Sequence, residues 1–348
     1  MLSAPIVVSI AITSRCNLRC LHCSASAGEG LGVPDLGREE WLEVIRELAR
    51  SHVFEIVLTG GEPLMVPWWV DIVKEAVRAG MRCSLNTNAL MVTEAVVSVL
   101  RDIPGLGLIT VSFDGDDRDS YESLRGQGTF ERAVAGIKKL VNAGLRVRLF
   151  TVVSRLNVGR LHGIVENAKE LGVDSIALNC FCPVSVGKRH EAKLSLSTDE
   201  EVRAYQVVYA LRETFGSFLD GSFVSRALLY KKWEERHQGE RLGPPARLGC
   251  GAGWTTVSIR PDGEIVPCDM MWDAPCGHVL RDGFAKVWRS SELLGRMRSL
   301  RNMTTADIEV CRRCRVNDLC SGGCRAVAWA HGDLFGGGHG CPIAAGVY

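Results

Sequence analysis

The sequence predicts an α/β fold: a partial (β/α)6 barrel of the TIM type joined to a small cysteine-rich C-terminal domain. Apolar strand runs alternate with helical patterns through six units between residue 6 and about residue 180. The strand runs are apolar on nearly every residue, as in a parallel sheet covered by helices on its faces. Right-handed crossovers would curl such units toward a barrel, with the site in the loops after the strand C-termini. The cysteines supply the remaining observation: of 14, three cluster at 16–23 and eight lie between 250 and 341.

The strands are expected at VVSIAI (7–12), FEIVL (54–58), RCSLN (82–86), LITVS (108–112), VRLFTVV (147–153) and SIALN (175–179). Helical spacing of apolar residues marks 39–50, 131–144 and 159–172. Gly80, Gly144 and Gly172 stand where a helix ends before the next strand. This first unit takes in residues 1–194. Two further helical patterns, EEVRAYQVVYALRETF and SRALLYKKWEERH, make 195–245 a helical bridge ending in the turn-rich GPPARLG (243–249). Residues 246–348 form the cysteine-rich unit, with one hairpin expected in TTVSIRPDGEIVPC around its Pro-Asp-Gly turn.

Composition narrows the function. Hydrophobic residues are 46% and charged residues 23%, ordinary for a globular domain, and the net charge of +1 offers no broad nucleic-acid footprint. No run reaches 18 apolar residues, so no membrane span is expected, and the apolar start lacks a basic n-region. A cytoplasmic, reducing setting is expected; disulfides are disfavoured there, so this many thiols read as metal ligands.

Cys16, Cys20 and Cys23 follow the first strand in CNLRCLHC. Three thiolates without a fourth leave one iron of a four-iron cluster open to a small molecule, whereas a zinc site takes four protein ligands. Glycines in TGGEP (59–63) allow close backbone approach, and Glu62 adds negative charge for an ammonium group.

This C-x3-C-x2-C spacing resembles the radical S-adenosylmethionine superfamily over about residues 6–180. The resemblance implies a [4Fe–4S] cluster on Cys16, Cys20 and Cys23 with S-adenosylmethionine beside it. It further implies cofactor contacts from His22 near the adenine, and from Gly60, Gly61, Glu62 and Pro63 at the methionine amino group. Thr87 and Asn88 in LNTNA, and Ser112 and Arg125 at the methionine carboxylate, complete the set; the bland reading of the last two is surface hydrogen bonding.

The C-terminal cysteines are Cys250, Cys268, Cys311, Cys314, Cys320, Cys324 and Cys341, with Gly263 between the first two. Their spacing resembles the SPASM domain, which implies two auxiliary iron–sulfur clusters, [4Fe–4S] in kind. One would lie on Cys311, Cys314, Cys320 and Cys341, the other on Cys250, Cys268 and Cys324. The sulfatase maturases of that group carry a further ligand just before the first SPASM cysteine; RLGPPARLG has none, so the iron there is open or Cys276 fills it, the other reading of Cys276 being a free thiol. A zinc ribbon is the rival for the whole domain. Asp269 matches the catalytic base of the sulfatase maturases; alternatively it caps a turn. Cys83, Cys180 and Cys182 read as packing thiols.

The resemblance implies an oxidoreductase that cleaves S-adenosylmethionine to a 5′-deoxyadenosyl radical and removes a substrate hydrogen. The expected substrate is a ribosomally made peptide or protein, as in mycofactocin, pyrroloquinoline quinone and sulfatase maturation. A separate recognition protein and an electron donor such as ferredoxin or flavodoxin are the expected partners, with no nucleic acid and no membrane. Haem or haem d1 biosynthesis is the alternative, suggested by GGCRAVAWAHGDLF; a non-catalytic iron–sulfur or zinc scaffold is the alternative of another class.

Overall fold

The computed structural model describes residues 2–25, 27, 34–237, 243–338, 340–341 and 343–344. Its first six strands are β1 (Val7–Ala11), β2 (Glu55–Thr59), β3 (Arg82–Thr87), β4 (Leu106–Ser112), β5 (Val147–Val153) and β6 (Ser175–Cys180). They pair in parallel in chain order. Between them run helices α1 (Arg38–Arg50), α2 (Trp69–Arg78), α3 (Glu94–Arg101), α4 (Arg118–Arg125), α5 (Phe130–Asn142) and α6 (Leu161–Glu170). The strands fall within two residues of the sequence expectation because each is a short β-branched run bounded by a glycine or a polar turn.

The apolar faces of the helices close over the sheet. Trp41, Val44, Ile45 and Leu48 of α1 are fully buried against Val8, Ile10, Ile56 and Leu58 of β1 and β2. Such burial stabilises by roughly 1.5–3 kcal/mol per large side chain. All of these strands deliver their C-terminal ends, and so their following loops, to one edge of the sheet.

The sheet extends beyond six strands. After two short helices, α7 (Ser185–Arg189) and α8 (Glu191–Leu194), come α9 (Thr198–Phe215), the two-residue β7 (Leu219–Asp220) and α10 (Ser222–Glu235). β7 pairs in parallel with β6, and α10 packs on β6 and β7. At the other edge β8 (Thr256–Ile259) pairs in parallel with β1, then antiparallel with β9 (Glu264–Val266), which pairs with β10 (Gly277–His278). The Pro-Asp-Gly hairpin is therefore stitched to the barrel sheet, whose ten strands run from β10 to β7 without closing.

The cysteine-rich region also holds a small core of its own. α11 (Phe284–Ser290) packs into the main core, whereas Leu248, Met271, Met297, Leu300, Ile308 and Leu334 are buried together with α12 (Glu292–Ser299), α13 (Glu309–Arg312) and α14 (Arg325–Ala330). Arg325, 1% exposed, donates to the carbonyls of Gly322, Leu334 and Gly336 and so fixes the glycine-rich loop carrying Cys320 and Cys324. A buried pair, Arg236 Nη1 to Asp318 Oδ1 at 2.6 Å, ties the segment after α10 to this loop region.

Candidate active site

The loop after β1 carries Cys16, Cys20 and Cys23, and it is shaped by the loop after β2. Gly61 N donates to Thr13 O at 2.7 Å and Glu62 N to Arg15 O at 2.9 Å. A Cβ on Gly61 would stand 2.0 Å from Arg15 O, and one on Gly60, at φ +139°, 2.6 Å from Thr13 O. The two glycines thus admit the backbone of the cysteine loop itself.

Glu62, expected at the methionine amino group, is fully buried and hydrogen-bonded to the protein. Its Oε1 accepts from Leu64 N at 3.1 Å and Thr87 Oγ1 at 2.8 Å, and its Oε2 from Asn88 N at 2.8 Å. Glu62 and the adjoining Pro63 lie behind the cavity wall formed by Gly60 and Gly61. Burial raises the Glu62 carboxyl to about 7, against the pull of those hydrogen bonds. The side chain bolts the glycine loop to the end of β3. Asn88 continues the chain of contacts, donating to Asn17 Oδ1 at 2.7 Å and lying 4.0 Å from Cys16 Sγ.

The cysteine loop is bolted from the β4 side by a group the sequence reading passed over. Asp114, in VSFDG, is wholly buried and accepts from Arg125 Nε at 2.5 Å and Val152 N at 2.7 Å, while His22 Nε2 stands 3.2 Å away. Burial works against its charge, but Arg125 and His22 outweigh it, and the carboxyl lies well below the usual range. Arg125 in turn reaches Cys20 Sγ at 3.7 Å. Arg125 is 6% exposed, which removes the surface reading of this residue. Burial pushes the Cys20 thiol up to about 12, so ionising it requires a cation. The available sequence signal was an acid two residues beyond Ser112 at the end of a strand.

Cys16, Cys20, Cys23, His22, Gly60, Gly61, Thr87, Asn88, Ser112 and Arg125 all line one cavity of about 870 Å³. Its opposite wall comes from the C-terminal region: Cys250, Asp269, Cys311, Cys314, Cys320, Cys324 and Cys341. Their neighbours sort these thiols into two groups. Burial raises the Cys311 thiol to about 12, and Cys320, Cys341 and Cys314 add to the effect. Burial likewise raises Cys268, with Asp269, Cys324 and Cys250 as its charged neighbours.

Cys276 belongs to neither. Its thiol lies near Ser291, Arg298 and Glu264, contacts Ala274 O at 3.7 Å and packs against the main core, because β10 turns that side of the hairpin toward α12. Cys276 is thereby removed as a fourth ligand. Cys83 is a packing thiol, buried in the core; Cys180 packs against the core while also lining the cavity, and Cys182 lines the cavity. Asp269 lines the cavity with its side chain exposed, and partial desolvation by the surrounding protein raises its carboxyl. Its backbone carbonyl accepts from Trp272 Nε1 at 2.5 Å, so the turn is held without the side chain.

The donor set fits clusters. Among the described residues no three His, Cys, Asp or Glu side chains converge as a single metal ion requires; the thiols instead surround open space.

Comparison with known proteins agrees. Residues 10–166 match the family model of the radical SAM superfamily, and residues 250–315 that of an iron–sulfur cluster-binding domain, SPASM. The AdoMet-dependent heme synthase of Methanosarcina barkeri is 27% identical over 95% of this chain and 94% of its own length. The mycofactocin maturase MftC of Mycobacterium tuberculosis is 29% identical over 95% of this chain and 81% of its own. Among solved structures, Streptococcus suis SuiB bound to precursor peptide SuiA shares the fold at TM-score 0.76 and 18% identity, covering 98% of this chain and 76% of SuiB. The structure of anSMEcpe with bound AdoMet does so at TM-score 0.70 and 17% identity, over 95% of this chain and 96% of that one. Residues 10–166 are a radical SAM domain and residues 250–315 a SPASM domain, in an enzyme that binds S-adenosylmethionine with a [4Fe–4S] cluster and carries auxiliary iron–sulfur clusters.

Proposed function

We propose that the enzyme oxidatively modifies a ribosomally made peptide or protein, with the first cluster on Cys16, Cys20 and Cys23 and the auxiliary clusters on the C-terminal cysteines. The observation that carries this reading is the shared cavity: the radical-forming loop and the C-terminal thiols face each other across about 870 Å³. That volume lies at the upper end of ordinary ligand pockets. Leu229, Val310, Val316, Leu319 and Ile343 give it apolar walls. Three relatives or fold neighbours, MftC, SuiB and anSMEcpe, carry peptide or maturase names or bound peptides.

The chemistry the first cluster supplies when bound is one-electron cleavage of S-adenosylmethionine to methionine and a 5′-deoxyadenosyl radical. The chain's own residues then act as follows. Ser112 and Arg125 orient the methionine carboxylate, with Asp114 fixing the guanidinium. His22 and Asn88 wall the adenosyl end, and Thr87 is held by Glu62. Asp269, facing the cavity with a raised carboxyl, accepts the proton that leaves the substrate carbon as its second electron departs. A ferredoxin- or flavodoxin-type donor supplies the reducing electron, and a separate recognition protein delivers the peptide. The many free thiols support a reducing, cytoplasmic setting; among the described residues no helix is long and apolar enough to cross a membrane.

A second reading, a tetrapyrrole substrate, is favoured by one observation: the M. barkeri heme synthase is matched over 94% of its length. Co-expression with a short peptide encoded beside the gene, followed by intact-mass analysis, separates the two. A peptide mass change that disappears in Cys16→Ala supports the proposal. Conversion of a tetrapyrrole with every peptide unchanged overturns it.

A further inference from the structure

The auxiliary set Cys250, Cys268 and Cys324 is one ligand short, and the sequence-adjacent Cys276 points elsewhere. A thiol from the barrel stands in the gap. Cys182 lies just after β6, in the segment joining it to α7; its thiol contacts Cys180 O at 3.8 Å, neighbours the Cys324 thiol, and lines the cavity with it. Cys182, Cys250 and Cys324 line the same cavity wall, and Cys268 lies just behind them, neighbouring both Cys250 and Cys324. The neighbouring Cys180 is committed differently. It closes β6, its thiol is hydrogen-bonded to Ser222, and its backbone N donates to Ser222 Oγ at 3.0 Å.

We propose that Cys182 is the fourth thiolate of the auxiliary cluster held by Cys250, Cys268 and Cys324. The proposal rests on the ligand assignment made above and not on the identity of the substrate. Ligation requires the thiolate, so Cys182 releases a proton to solvent when the cluster binds, and no electron is exchanged. Two consequences follow. A cluster closed by four thiolates has no open iron for substrate, which makes it an electron relay. The same bond ties the end of β6 to the C-terminal domain, across a wall that is otherwise two separate chain segments.

The test uses the full chain carrying Cys16→Ala, Cys20→Ala and Cys23→Ala, which removes the one cluster with an open iron by design. Reconstituted anaerobically, this parent holds about eight irons in two closed clusters. Mild ferricyanide oxidation then leaves it without the EPR signal of a three-iron cluster. Adding Cys182→Ala opens one iron, and the same oxidation releases it, raising that signal from background to about one three-iron cluster per chain. Cys180→Ala leaves the parent behaviour unchanged. If alanine at 182 empties the site, loss of about four irons there and retention in Cys180→Ala has the same meaning. Cys182→Ser, which keeps an oxygen donor, then restores part of the iron. The proposal is overturned if the parent already shows the three-iron signal, or if Cys182→Ala keeps its cluster closed. It is overturned equally if Cys180→Ala and Cys182→Ala behave alike. A parent with a single auxiliary cluster would overturn it together with the ligand assignment beneath it.

Discussion

Asp114→Asn is the substitution with the largest expected effect outside the cysteines. Asp114 and Arg125 are 0% and 6% exposed, so their pair is not discounted by solvent. The amide can keep the bond from Val152 N, 2.7 Å away, by turning its oxygen there. Its NH2 then faces the Arg125 guanidinium where the carboxylate oxygen stood at 2.5 Å. Removing one partner of a buried pair costs about 3–5 kcal/mol, since the remaining charge is left uncompensated. The full penalty applies at pH 7: a carboxyl held below its ordinary value of 3.8 contributes stability that is complete above that value and is lost as pH falls through the folded one. Urea unfolding of the metal-free chain at pH 7, followed by circular dichroism, gives the number. A double variant, Asp114→Asn with Arg125→Met, should cost less than the sum of its singles, by about 2 kcal/mol. A cost for Asp114→Asn below about 1 kcal/mol, the range of a solvated pair, refutes the claim that this pair clamps the cysteine loop.

Other substitutions test the remaining parts. Glu62→Gln turns an amide NH2 toward one of three N–H or O–H donors and should destabilise the chain by about 1–3 kcal/mol in the same unfolding assay. Cys311→Ala with Cys314→Ala should leave uncoupled 5′-deoxyadenosine formation while product, read by mass spectrometry, disappears. Asp269→Asn keeps the shape and removes the proton acceptor, so product formation should fall on the order of a hundredfold with folding intact; an unchanged rate would make Asp269 a turn residue.

The barrel strands and their helices were legible because their periods are strong and local: a two-residue error at β4 is the largest shift. Long-range pairing was not. Nothing near Thr256 announces that β8 lies parallel to β1, some 250 residues earlier, because a parallel partner leaves no signature in the strand's own sequence. At the site, residue identity was legible and side-chain direction was not. Cys276 stood as either a ligand or a free thiol on sequence distance alone, and its thiol lies near Ser291 at the start of α12. Cys182 looked like a packing thiol on a strand end, and the loop after β6 aims it at Cys324. Asp114 drew no reading from the sequence, and only the meeting of β4, β5 and α4 shows the ion pair it makes. The three protein donors to Glu62, from Leu64, Thr87 and Asn88, likewise left no mark in the sequence.

The most direct test of the central claim is 5′-deoxyadenosine release by the anaerobically reconstituted, dithionite-reduced chain given S-adenosylmethionine. The account predicts equimolar 5′-deoxyadenosine and methionine from a brown protein with about twelve irons. It also predicts none from the Cys16→Ala, Cys20→Ala, Cys23→Ala variant, which keeps about eight irons. Continued 5′-deoxyadenosine formation by that variant, or a colourless native chain carrying stoichiometric zinc, would contradict it.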